Sequence, residues 1–166
     1  MSADRALDSD EEYETQYVES QVIMSTVQVV APFALTYALF MTFHGASTPG
    51  GGFQGGAIMG SVVLMIAFAF GIEPTRRWLQ NKVVVGLAAG GTAFFVLVGL
   101  GTIALGGAFL EYELYGEALP IFAESGDAIS WGMEAIEIGG IALIVSGIIM
   151  GLFFATAAGY DGGDRA

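Results

Sequence analysis

Charged residues are absent from four long stretches of the chain, and these stretches set its predicted architecture. Asp, Glu, Lys and Arg are missing from runs of 22, 20, 28 and 21 residues: Val22–Phe43, Phe53–Ile72, Val83–Leu110 and Ile138–Ala158. A helix needs about 20 such residues to cross the hydrocarbon core of a bilayer. Four buried helices of a soluble protein are a poorer explanation, because such helices seldom lack a polar face for this long. The pattern predicts an all-α integral membrane protein with four transmembrane helices.

Polar breaks divide this membrane domain, residues 22–158, into helices at about residues 22–43, 53–72, 83–105 and 133–158. A glycine-rich turn joins the first two helices, and Glu73–Lys82 is predicted to be a short polar loop between the second and third. Residues 1–21 form a predicted acidic tail. It has no apolar segment behind a basic lead, so it does not resemble a cleaved secretory signal. Residues 159–166 form a second, short acidic tail.

The basic residues predict the orientation of the helices. The chain has five, and three of them, Arg76, Arg77 and Lys82, lie in the loop between the second and third helices. Loops rich in Lys and Arg face the cytoplasm in most membrane proteins. We therefore expect a multi-pass protein of the cell membrane with both termini in the cytoplasm and the glycine-rich turn outside.

Composition removes several classes of function. The formal net charge is −12, from 17 acids and five bases, which argues against nucleic acid as a partner because phosphate binding needs Lys and Arg. The chain has no cysteine, and its single histidine and scattered acids do not have the spacing of metal ligands. We expect no catalytic residues, no bound metal and no cofactor, and a protein that is not an enzyme.

Glycines are frequent in the third predicted helix, at Gly86, Gly90, Gly91, Gly99 and Gly101. In water each would weaken a helix by about 1 kcal/mol relative to alanine. In a bilayer small residues allow close approach of neighbouring helices. We therefore expect this helix to be surrounded by protein more than by lipid.

The turn from His44 to Gly56 carries the first candidate site residue. His44 is the only histidine, and its imidazole can gain and lose a proton near neutral pH. A side chain that merely forms hydrogen bonds with the turn is the simpler alternative. The glycines do not form a nucleotide-binding loop, because no Lys followed by Ser or Thr comes directly after them.

Two acids near the start of the last helix are the other candidates. Glu137 is predicted to lie about one turn inside that helix, where a carboxylate is costly and tends to mark an ion or proton route. An acid at the interface that reaches water is the alternative. Glu134 lies three residues earlier on the same face and closer to the boundary, where the interfacial explanation is the better one.

Residues 31–71 closely resemble the MnhB-like subunit of multisubunit Na⁺/H⁺ antiporters. That family carries an HGH..(T/S)PGGGFQGG pattern between its first two helices, and this chain reads HGASTPGGGFQGG, with Ala46 in place of the second histidine. The glutamate, isoleucine and glycine at 137–139 also fit an acid-x-Gly near the start of the family's last helix. The matching turn residues are Gly45, Pro49, Gly50, Gly51, Gly52, Phe53, Gln54, Gly55 and Gly56.

The resemblance implies the B-type subunit of a multisubunit Na⁺/H⁺ antiporter, which contributes to assembly and lines the cation or proton route. Its partners would be the other antiporter subunits, the lipid bilayer, and Na⁺ and H⁺ as transported ions. Glu137 would bind the cation or proton, while His44 and the glycine turn would shape the outer entrance. Two alternatives remain: a purely structural membrane subunit, or the equivalent subunit of a redox-driven, hydrogenase-like ion pump.

Overall fold

A computed structural model describes residues 20–45, 51–119 and 125–162, and the described part is helical without strands. The elements are seven α-helices and one π-helix. In chain order they are α1 Gln21–Phe43, α2 Gly52–Phe70, α3 Ile72–Trp78, α4 Asn81–Ala104, α5 Glu113–Ala118, α6 Ser125–Ala135, a π-helix Ile136–Ile141 and α7 Ala142–Gly162.

The prediction of four membrane-length helices is confirmed. By length and composition, four helical spans are apolar enough to cross a membrane: Gln21–Phe43, Gly52–Phe70, Asn81–Ala104 and Ala128–Ala158. The first span begins where the Ser20 hydroxyl accepts a hydrogen bond from the Ile23 N–H at 3.5 Å, the usual capping arrangement. The protein is a multi-pass membrane protein.

The spans do not pack in chain order. α1 packs on α2, α2 packs on α7, and α4 packs on the other side of α7, so the last span lies in the middle. The buried cluster at one end of the bundle joins Val84 of α4 to Met150 and Phe154 of α7. The central position of α7 places the segment just before it, the π-helix, between the α1–α2 turn and α4.

The predicted polar loop at residues 73–82 is wrong in part, because its first half is the helix α3. Gly71 ends α2 with a φ of 99°, which turns the chain, and Pro74 then falls in the first turn of α3, where proline is tolerated. The Thr75 hydroxyl donates to the Gly71 carbonyl at 2.8 Å, and Arg77 pairs with Glu73 one turn away. These local bonds stabilise a short helix in a segment that hydropathy marked only as polar.

The last helix starts earlier than predicted, and it also runs further. Its helical run begins at Ser125 rather than near residue 133 and continues to Gly162, beyond the predicted end at 158. The predicted start was based on the absence of charged residues. The first turns of the last helix contain acids, so they were not recognised as part of it. As a result Glu137 lies 12 residues, or about three turns, after the start of the helical run, whereas the prediction placed it about one turn inside the helix.

Several predicted features lie outside the described residues. These are the acidic tail through residue 19, the last four residues of the chain, and the centre of the glycine-rich turn, which includes Pro49 and Gly50.

Candidate functional site

Glu137 is the centre of the candidate site, and an irregular turn of helix presents it. Residues Ile136–Ile141 form a π-helix in which the Ala142 N–H donates to the Glu137 carbonyl, five residues back. Single π-turns within α-helices are rare and occur often at functional sites. The wider turn carries the acid and the glycine pair Gly139–Gly140 into the middle of the bundle.

Three glycines of the α1–α2 turn lie directly against Glu137. A Cβ atom on Gly45 would overlap the carboxylate at Oε2, and one on Gly51 would lie 2.8 Å from Oε1. A Cβ on Gly52 would overlap the Glu137 carbonyl oxygen and lie 2.9 Å from its Cα. Gly51 also has a φ of 129°, a conformation that residues with a side chain rarely adopt. Only glycine therefore lets this turn close over the acid.

The carboxylate is enclosed on one side and lacks a partner there. Oε2 of Glu137 is a buried side-chain oxygen that accepts no hydrogen bond from the described part of the chain. A buried polar atom without a partner costs about 1–3 kcal/mol, and more if it carries charge. The arrangement therefore leaves an oxygen that a proton or a cation would satisfy.

The opposite side of the π-helix is held equally closely by α4. A Cβ on Gly91 would lie 2.8 Å from the Gly140 carbonyl oxygen, and one on Gly139 would lie 2.6 Å from the ring of Phe94. The π-helix is thus clamped between the backbone of the turn and the backbone of α4. Packing of this kind cannot shift without moving main chain, which fixes the position of the acid.

Tyr112, at the start of α5, is a second polar group near the acid. Burial raises the pKa of its phenol, and the negative charge of Glu137 raises it further. The fully buried Thr102 holds the preceding loop: its hydroxyl lies 2.7 Å from the carbonyl oxygens of Gly99 and Ala108 and accepts from the Leu110 N–H at 3.0 Å. This loop carries Tyr112 back over the bundle.

His44 caps the C-terminal end of α1 beside the site. Its ring stacks on Phe40 with 4.1 Å between centroids, and its Nδ1 lies 3.1 Å from the Phe40 carbonyl oxygen. Because a carbonyl can only accept, this bond places a proton on Nδ1. The next residue, Gly45, lies against the carboxylate of Glu137, so the sole histidine and this partly buried acid are at the same end of the bundle.

Comparison with known families agrees with this architecture. Residues 22–151, most of the chain, match a family described as a domain related to the MnhB subunit of Na⁺/H⁺ antiporter. The chain belongs to the MnhB family. The resemblance inferred from the turn residues is therefore confirmed over nearly the whole membrane domain, including the π-helix and Glu137.

Two relatives match about four fifths of this MnhB-family chain. The B-type subunit of a Na⁺/H⁺ antiporter of Bacillus subtilis is 26% identical over 135 residues, which are 81% of this chain and 91% of the relative. The corresponding Na⁺/H⁺ antiporter protein of Alkalihalophilus pseudofirmus is 24% identical over 139 residues, or 83% and 93% of the two chains.

The described motif glycines of the MnhB-family chain divide into two groups. Gly45, Gly51 and Gly52 lie against Glu137, whereas Gly55 and Gly56 let helices approach, Gly55 at Thr42 of α1 and Gly56 at Ala142 of α7. Phe53 and Gln54 are exposed on α2 and point away from these contacts. The described part of the turn motif is thus a backbone surface with two outward side chains, Phe53 and Gln54.

Glu134, the other acid among the predicted site residues, is partly exposed and close enough for its charge to act on Glu137. No group of three His, Cys, Asp or Glu side chains comes together within the described ranges. Tyr112 was not among the predicted site residues. Its segment has no motif, and only the fold of the α4–α5 loop brings it near the acid.

Proposed function

We propose that this chain works as the B-type subunit of a multisubunit Na⁺/H⁺ antiporter and that Glu137 binds a cation or proton on the transport route. Family membership supports the first part, together with relatives named as antiporter subunits. The single observation that supports the second is the buried Oε2 of Glu137, which lies in a membrane-length helix and has no hydrogen-bond partner in the described part of the chain.

The energetics of the acid favour an exchangeable ligand. A carboxylate in a membrane segment is costly, and such residues tend to lie on ion or proton pathways. Within the described residues, Oε2 accepts no hydrogen bond, so no donor among them competes with the transported ion. Glu134 adds negative charge beside Glu137 and would attract a cation to it.

The approach to this acid would run past the α1–α2 turn. His44 and Gly45 lie at that end of the bundle, and Tyr112 approaches Glu137 from the α4–α5 loop. Arg76, Arg77 and Lys82 are at the opposite end, so we assign the turn to the outer face and both termini to the cytoplasm. The chain would act as a transporter component beside other subunits in the bilayer rather than as an enzyme.

Exchange in everted vesicles tests the role of Glu137. We expect Glu137→Gln, in the assembled complex, to raise the Na⁺ concentration for half-maximal ΔpH by about tenfold or more, since interactions with a charged group are worth roughly 1.5–3 kcal/mol. Glu134→Gln is the matched control, with the same change three residues away, and should cost less. A native gel reports assembly of each complex.

A purely structural role is the competing function, and it is supported by the close packing of Gly51 on the Glu137 side chain and of Gly52 on the Glu137 backbone. It predicts that Glu137→Gln exchanges Na⁺ like the wild type while Gly51→Val removes the complex from the membrane. Unchanged exchange in a correctly assembled Glu137→Gln complex would therefore assign this chain to the scaffold.

A further inference from the structure

A cavity at the basic end of the bundle carries a separate inference. It has a volume of about 330 Å³ and lies between the α3–α4 connection and the second half of α7. It is at the end opposite Glu137, so the transport proposal does not depend on it. Its polar lining is Arg76 and Asn81, and its apolar lining includes Leu79, Val84, Phe154 and Ala155.

The basic residues at this end of the bundle differ in whether they form an ion pair. Arg77 pairs with Glu73 at 3.1 Å, whereas Arg76, the next residue, makes no ion pair within the described part of the chain. Lys82 is exposed and follows Asn81 directly. Among the side chains that the structure describes at this end, Arg76 and Lys82 are therefore the positive charges beside the cavity that form no ion pair.

The apolar wall of the cavity leads into the membrane span. Val84 and Phe154 belong to the buried cluster between α4 and α7, and Leu79 packs against that cluster. Trp78, 73% exposed, lies beside Leu79, and tryptophan is enriched at the level of lipid headgroups. The cavity therefore has a cationic opening at the membrane surface and a hydrocarbon wall below it.

We propose that this cavity binds an anionic phospholipid, with the headgroup phosphate at Arg76 and an acyl chain along Leu79, Val84 and Phe154. Guanidinium groups suit phosphate because they offer several N–H donors in one plane. The Asn81 amide can donate a further hydrogen bond. Basic pockets between membrane helices bind anionic lipid headgroups elsewhere by the same combination of charge and apolar surface.

Tryptophan quenching by brominated lipids measures this binding. The chain has two tryptophans, so Trp131→Phe leaves Trp78 as the only reporter, next to the cavity. The full-length chain is reconstituted in vesicles containing brominated phosphatidylglycerol or brominated phosphatidylcholine, and the relative binding constant is obtained from the quenching of Trp78. Far-UV circular dichroism checks that each variant keeps its helix content.

Arg76→Gln and Arg77→Gln form a matched pair. Both remove one positive charge from the same surface, but only Arg76 lines the cavity. We expect Arg76→Gln to lower the preference for phosphatidylglycerol about fivefold, the effect of one basic residue near an anionic headgroup, and Arg77→Gln to lower it much less. Equal losses in the two variants, or none in either, would overturn the proposal.

Gly151 allows a second test that leaves every charge in place. A Cβ there would lie 3.5 Å from Val84 Cγ1, an ordinary contact, so Gly151→Ala should retain lipid binding. The larger side chain of Gly151→Leu should fill the cavity and remove the preference for phosphatidylglycerol. If Gly151→Leu binds lipid normally, or if millimolar glycerol phosphate without acyl chains abolishes the preference, the cavity is not a phospholipid site.

Discussion

Two glycine-rich surfaces of this protein look alike in sequence and differ in the fold. Gly45 and Gly51 of the α1–α2 turn lie against the Glu137 carboxylate, and Gly52 and Gly56 of α2 lie so close to backbone of the π-helix and α7 that a Cβ would overlap it. On α4, by contrast, a Cβ on Gly86 or Gly90 would meet nothing within 4 Å. The first surface is packed within the chain, and the second is open. A high frequency of glycine in a helix therefore indicates close packing only where another segment of the chain lies against those glycines.

The largest expected effect comes from the packed surface. Gly52→Val should prevent folding of the chain, because its Cβ would overlap the Glu137 carbonyl, and main chain clamped between α2 and α4 cannot yield. Overpacking costs about 1–3 kcal/mol where side chains and backbone can shift, and the cost is larger here because main chain on both sides of the π-helix would have to move. Loss of the monodisperse peak in size-exclusion chromatography of detergent extracts measures it. A normal peak would mean that the turn does not close on Glu137.

Gly51→Ala should have the next largest effect. The φ of 129° at Gly51 is strained for any residue with a side chain, at a cost of about 1–3 kcal/mol. Its Cβ would also lie 2.8 Å from Oε1 of Glu137, a side-chain atom that can move. We expect a folded protein with a lower melting temperature, and combining Gly51→Ala with Glu137→Ala should recover only the steric part of the loss.

Tyr112 gives a smaller, pH-dependent effect. Because burial and the Glu137 charge raise the pKa of its phenol, the folded state holds this proton more firmly than the unfolded chain does. Stability should thus be intact below about pH 10 and fall as the pH rises toward the raised value. Tyr112→Phe should reduce that alkaline loss by less than about 1 kcal/mol, since the ring is partly exposed. Melting temperatures at pH 8 and 10.5, with Tyr37→Phe as control, would measure it.

The open surface should give the smallest effect. Gly90→Ala adds a methyl group where nothing lies within 4 Å, and alanine favours helix by about 1 kcal/mol in water. The melting temperature of the isolated chain should stay the same or rise slightly. A clear loss of stability would show that α4 is covered in a way that contradicts the open face, and would remove the contrast with α2.

Much of this fold follows from simple sequence rules. Uncharged runs of membrane length predicted four spans with most ends within a few residues. The position of Glu137 about one turn inside the last predicted helix made it the candidate site residue. The family turn placed His44 and the glycines at one end. These features depend on local composition, which the sequence displays directly.

Other features depend on contacts between distant segments and could not be predicted in that way. The π-helix has no distinct periodicity, and the early start of α6 is concealed by its acids. The partner of each glycine follows from the spatial order of the spans, in which the last lies between α2 and α4. The prediction that α4 is enclosed by protein holds at Gly91, Gly99 and Gly101, but within this chain Gly86 and Gly90 lie on an open face.

The π-helix determines which way the side chains before it face around the axis of the last span. A π-turn contains about one residue more than an α-turn, so it offsets everything before it by roughly 100° of rotation and 1.5 Å of rise. Deleting one residue from Ile136–Ile141 would restore a regular α-helix and turn the acid away from the glycines, even with every side chain of the site retained. The position of the carboxylate is therefore set by the number of residues in this turn as much as by their chemistry.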